Sequence, residues 1–172
     1  MFRTLAPALT LLALLLPALP AAADDGNDRH EHERHHERHH GEGEHSPFAH
    51  LPLIMLMHNM QYYAHKLGLA VDAGNADLTR FYSRELEEVI EAVGEIREYE
   101  GIPIAKHLGV TLKPAYAKLE QAIDRGDTSA INGAYHNLLA GCNACHQSSQ
   151  RPFIVIRHNR VNPYMQDFSP HN

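Results

Sequence analysis

From Leu53 onward, apolar side chains return at alternating steps of four and three: Leu53, Met57, Met60, Ala64, Leu67 and Val71. That spacing lines one face of an α-helix and no face of a strand, whose period is two. A chain built on it must bury the stripe against further helices. The first pattern starts at Leu51 and ends at Gly74-Asn75, a pair that tolerates the left-handed backbone of a helix stop. Asp77 is the expected cap of a second pattern with Leu78, Phe81 or Tyr82, Leu86, Val89, Val93 and Ile96. Its opposite face carries Glu87, Glu88, Glu91, Glu95 and Glu98, which reads as a solvated face. After a connection from Tyr99 to Pro103, a third pattern uses Ile104, Leu108, Leu112, Ala115, Leu119 and Ala122, with Pro114 expected to kink or restart it. Arg125-Gly126-Asp127 is the next turn. Asp127 or Thr128 then caps a fourth helix built on Ile131, Tyr135, Leu138, Cys142 and Cys145.

Short connections favour antiparallel neighbours, so the expected fold is all-α: an up-down-up-down four-helix bundle over residues 51–150. Residues 151–172 form a tail. Its apolar run Phe153-Ile154-Val155-Ile156 lies between Pro152 and Pro163 and is expected to strap across the bundle, since a lone strand has no partner.

The other end of the chain has two further segments. Residues 1–23 run from Arg3 through an apolar stretch to Ala21-Ala22-Ala23, the order of a secretory signal peptide. A spanning helix wants about 20 apolar residues, and Pro7, Pro17 and Pro20 interrupt this stretch. Export to the periplasm, with no membrane attachment after cleavage, is therefore expected. Residues 24–50 hold almost nothing apolar and cannot offset their ordering entropy, which makes them a disordered arm. Within it His32, His36 and His40, and likewise His35 and His39, stand four apart. On a helix they would chelate copper, zinc or nickel in pairs; as a solvated tail they would bind such ions weakly and without selectivity. A net charge of −6 offers nothing to attract nucleic acid.

The chain has two cysteines, which in an exported protein first suggest a disulfide. Their spacing argues otherwise. Cys142-Asn143-Ala144-Cys145-His146 is a C-x-x-C-H sequence, the attachment signature of a c-type haem. Three apart on one helical face, both thiols reach the two vinyl groups of one porphyrin, and His146 turns its imidazole toward the iron. A thioredoxin-like dithiol belongs beside a βαβ pattern, which is missing, and a zinc knuckle needs a second ligand pair. The expected cofactor is one covalent haem c on Cys142, Cys145 and His146.

With that motif in its last helix, the chain resembles, over residues 51–150, the helical cytochromes of the cytochrome c′ class and their low-spin relatives. The resemblance implies thioether bonds at Cys142 and Cys145, a proximal iron ligand at His146, and a first helix whose early residues face the distal side. The class usually has an arginine four residues after the haem histidine, where this chain has Gln150. Arg151 follows it as the candidate partner of a haem propionate, with an ordinary surface role as the alternative. The tail is also longer than that class carries. Met60-Gln61, Lys66-Leu67, Leu86-Glu87-Glu88 and Ala140-Gly141-Cys142-Asn143 are similar to a group of exported single-haem proteins to which no function attaches.

The distal ligand decides the chemistry. Methionine raises the potential and suits electron transfer, a second histidine lowers it, and an open site takes a small gas. Met57 and Met60 lie on the core stripe of the first helix, His58 and His65 on the adjacent one, and Met60 is preferred over His58. Against each methionine stands its common use as a core gap-filler. His107 and His136 read as surface or hydrogen-bonded residues. The leading expectation is a periplasmic electron carrier with a redox partner protein, not an enzyme, since no nucleophile pair or acid–base set is visible. A five-coordinate gas-binding or sensing protein, and a metal-handling protein that uses the arm, are the alternatives. Association into a homodimer stays open.

Overall fold

The computed structural model describes residues 47, 48 and 50–171. The signal-peptide reading of residues 1–23, nearly all of the expected arm, and the metal-binding reading of His32, His35, His36, His39 and His40 lie outside the described residues. Four helices follow: α1 (Leu53–Asp72), α2 (Ala76–Gly94), α3 (Ile104–Arg125) and α4 (Thr128–Ser148). They are the four that the apolar spacing calls for. Among the described residues no helix is long and apolar enough to cross a membrane.

The helices pack as a bundle in which α1 lies against α2, α2 against α3 and α3 against α4, with α1 and α4 more loosely apposed. Leu56, Leu67, Leu86, Leu108, Leu112, Leu119 and Leu138 are fully buried in one shared core. Of the two aromatic candidates in α2, Tyr82 is buried and Phe81 is exposed. Phe48, from the segment assigned to the arm, packs edge-on to Tyr63 with ring centroids 6.3 Å apart.

One local expectation is corrected and a second is narrowed. Asn75, not Asp77, caps α2: its Oδ1 accepts from the Leu78 N–H at 3.0 Å. A cap must stand outside the helical backbone. Asn75 does so, whereas Asp77 already lies in the first turn, where its charge still complements the helix dipole. Asn75 has a second task that favours it, because its Nδ2 donates to Phe168 O at 3.2 Å and Ser169 O at 3.0 Å and so ties the tail to the α1–α2 turn. Pro114 does not restart α3, which runs unbroken from Ile104 to Arg125. The bond that proline removes is the one to the Val110 carbonyl, and Val110 is 70% exposed, so water can take the place of the missing donor.

The tail crosses the seam between α1 and α4 without regular secondary structure. His158 Nε2 lies 2.9 Å from Asp72 Oδ2, close but not aligned as a hydrogen bond. Tyr164 Oη is 3.0 Å from His65 Nδ1, and Phe168 is buried in the core. Lys66 Nζ donates to Gln166 Oε1 at 3.1 Å and sits over the rings of Tyr62, Tyr82 and Tyr164 at 4.7, 5.3 and 4.8 Å. Such cation–π contacts contribute roughly 0.5–1 kcal/mol each at exposed sites, enough to hold a strap that buries few apolar side chains.

A Schellman turn closes α4. Arg151 N–H donates to His146 O at 2.8 Å and Gln150 N–H to Gln147 O at 3.2 Å, with Gln150 left-handed at φ 56. Glycine is the usual residue there. Gln150→Gly should therefore raise stability by about 0.5–1 kcal/mol, the left-handed cost of a side chain less the extra backbone entropy of glycine. A urea midpoint that rises at constant m-value would show it; a fall would mean that the glutamine side chain holds the turn.

Candidate functional site

The start of α1 and the end of α4 meet around an apolar cavity of about 310 Å³. Leu53, Ile54, Met57 and Met60 of α1 form one wall, Ile104, Leu108 and Leu112 of α3 another, and Cys142, Cys145 and His146 of α4, with Ser149 just past its end, a third. Its mouth is rimmed by Tyr99, Glu100, Arg151 and Ile154. The volume falls at the low end of the range typical of small-molecule sites, which are mostly apolar with a few placed polar groups.

The cavity gathers Cys142, Cys145, His146, Arg151, Met57 and Met60. It does not gather His58, which is exposed on the far side of α1, nor His65, which faces Tyr164 under the tail. Met60 is 7% exposed, and it shares the lining with both cysteines. His107 stays outside the cavity, its Nδ1 3.1 Å from the hydroxyl of buried Ser149. His136 is exposed and edge-on to His158, with ring centroids 5.2 Å apart.

Backbone packing sets the depth of the thiols. At Gly141 α4 approaches α3 so closely that an added Cβ would stand 3.2 Å from both Thr111 O and Ala115 Cβ. The next residue, Cys142, is thereby held in the core, and burial, followed by the neighbouring Cys145, pushes its thiol up to about 12. Thiols that work by disulfide exchange have their pKa depressed, not raised.

His146 Nδ1 lies 3.0 Å from the carbonyl oxygen of Ile154. A carbonyl only accepts, so the proton of the ring belongs on Nδ1 and the lone pair of the neutral imidazole on Nε2. This is the arrangement of a metal-ligating histidine, whose other nitrogen donates to a backbone carbonyl or carboxylate. Two cysteines one helical turn apart, a pre-oriented imidazole and apolar walls are the donor set that a covalent haem c needs, and the residues fit that group. Among the described residues no cluster of three or more His, Cys, Asp or Glu is placed to hold a bare metal ion.

Strain collects at the mouth. Among the described residues the non-glycine positions with positive φ are Glu100 at 51 and Gln150 at 56, and both flank the cavity. Glu100 and Gly101, at φ 51 and 78, form the centre of a two-residue turn closed by reciprocal bonds of 2.9 Å between Tyr99 and Ile102. Such turns favour Asn, Asp or Gly where this one has Glu. The Glu100 carboxylate meets Arg151 Nη2 at 2.7 Å. An exposed pair of this kind is worth at most about 1 kcal/mol, so the pair does little more than offset the strain of the turn. Backbone strain held in place is a recurrent mark of ligand clamps. Reading the residues alone missed Glu100, Asn143 and the Ile154 carbonyl. Glu100-Gly101 carried a turn signal; the other two carried none.

No family model, curated protein or solved structure matches the chain, so the assignment of the cavity rests on its own residues.

Proposed function

We propose that the chain is a periplasmic c-type cytochrome that carries one covalent haem and transfers electrons to or from a redox partner protein. The observation that carries this reading is the presence, in one apolar cavity, of the whole C-x-x-C-H donor set and the thioether of Met60 from the opposite helix. The haem, when bound, supplies a one-electron iron couple.

The chain's own residues do the rest. Cys142 and Cys145 would hold the group through their sulfurs, and His146 would offer Nε2 because Ile154 occupies Nδ1. Met60, which lines the cavity, would be the second side chain to hold the iron, in preference to exposed His58. Leu53, Leu108 and Leu112 line the cavity and would keep water from a bound iron, whose potential a methionine ligand and burial would raise. Arg151, one ion pair away from release by Glu100, is the candidate partner for a propionate at the mouth.

Met60→Leu tests the choice between electron transfer and gas binding, since it conserves volume and apolarity and should cost less than about 1.5 kcal/mol. The oxidised wild type should display the weak sulfur-to-iron charge-transfer band in the far red, and its reduced form should resist carbon monoxide. The variant should lose the band and bind carbon monoxide readily. A wild type that is high-spin and takes carbon monoxide at once would overturn the electron-transfer reading in favour of gas binding.

A further inference from the structure

Three residues of the Cys142–His146 segment account for its chemistry; Asn143 is engaged elsewhere. Its Nδ2 donates to the carbonyl of Ile156 at 2.8 Å, and its Oδ1 accepts from the N–H of the same residue at 2.7 Å. An amide that pairs with both backbone groups of one residue acts as a substitute strand partner and fixes where that residue lies and which way the chain runs. Two residues before Ile156 stands Ile154, whose carbonyl receives His146 Nδ1.

Little else holds this stretch. Phe153 is 75% and Val155 68% exposed, and only Ile156 packs against the core. On the near side the stretch hangs from the α4 turn by the Ile154 N–H bond to Arg151 O at 3.0 Å. Apolar burial therefore does little to fix the Ile154 carbonyl, which the Arg151 bond holds from the near side and the Asn143 clamp from the far side.

We propose that Asn143 is a positioning residue: by clamping Ile156 it keeps the Ile154 carbonyl on His146 and so sets the donor strength of that histidine toward iron. The proposal rests on the reading of His146 as a haem ligand and adds a regulation of that site by the tail. A carbonyl that accepts from Nδ1–H makes Nε2 a stronger donor, which favours the ferric state and lowers the potential. The tail thus opposes the rise in potential that Met60 and burial supply.

The experiment uses the full-length holoprotein and two variants that act from opposite ends of the clamp. Asn143→Ala removes the amide, and Ile156→Pro removes the backbone N–H while leaving the haem-binding segment untouched. Each should keep its covalent haem and helical circular dichroism. At a fixed poise each should shift the ferric-to-ferrous ratio toward ferrous by about tenfold, the low end of what outer-shell partners contribute, which is an upward shift of about 59 mV in a one-electron couple. The double variant should shift no further than either single one, because the two changes break the same contact. The His146 ring N–H should also exchange with solvent faster in each variant. Haem-bearing variants with unmoved potential and unmoved exchange would overturn this proposal alone, whereas a wild type without covalent haem would overturn it together with the functional reading beneath it.

Discussion

Changing Cys142 and Cys145 together to serine should give a folded protein with no covalently bound haem, the largest functional effect expected of any substitution in this chain. On the proposed reading these sulfurs would make the thioether bonds of the haem, and oxygen would not substitute for them. The fold should survive because the change is nearly isosteric. Cys142 is buried and Cys145 partly so, and a buried hydroxyl without a partner costs roughly 1–3 kcal/mol. Helical serine recovers part of this by bonding the carbonyl four residues back. The remaining loss is a fraction of the roughly 5–15 kcal/mol of a typical domain. The check is haem-stained denaturing electrophoresis with acid–acetone extraction. Wild type should keep its colour through both, and the double variant should keep none while retaining helical circular dichroism. His146→Ala should keep the haem attached and change its spectrum. If wild type itself gave up all its haem to acid–acetone, the cytochrome reading would fall.

Gly68→Ala should be the most destabilising single-methyl change in the bundle. Gly68 is buried on α1 where Tyr135 of α4 crosses, and an added Cβ would stand 2.6 Å from Tyr135 Cζ and 3.0 Å from Cε1. Both are rigid ring atoms, and Tyr135 is among the fully buried side chains, with its hydroxyl donating to Ala64 O at 3.0 Å and His158 packed edge-on to its ring at 5.3 Å. The ring has nowhere to swing. Overpacking costs typically about 1–3 kcal/mol, and displacing the hydroxyl from its acceptor adds about 1–3 more. Against this, alanine gains about 1 kcal/mol over glycine as a helix former. The net expectation is a loss of roughly 1–5 kcal/mol, read as a lower urea midpoint. Tyr135→Phe in the same chain should restore part of it, since the hydroxyl is the atom nearest the added methyl. Stability unchanged or increased by Gly68→Ala would mean that α1 and α4 do not close on each other at this point.

How much of this was legible in the sequence depends on how local each feature is. The four helices and most of their ends were, because the steps of three and four and the stops at Gly74 and Gly126 express backbone geometry within a few residues. The same holds for the segment Cys142–His146, where three-residue spacing on a helix places Cys142 and Cys145 on one face whatever surrounds them. Pro114 shows the limit: its missing donor is a local fact, but whether a helix tolerates it depends on the solvent at Val110.

The remaining features are set by which distant residues arrive beside them. Asn75 displaces Asp77 as a cap partly because the tail brings two carbonyls within its reach. Met60 and His58 are two positions apart on one helix, and only the rotation of α1 against α3 and α4 turns the methionine into the cavity and the histidine to solvent. Asn143 and Ile154 have no periodicity, charge pattern or motif that marks them. Periodicity constrains backbone torsions residue by residue, so the sequence by itself determined the helices and the face that Cys142 and Cys145 share. Hydrogen bonds between residues far apart in the chain depend on how the helices and tail pack together, so only the tertiary structure decided which side chain faces His146 across the cavity and which carbonyl holds its proton.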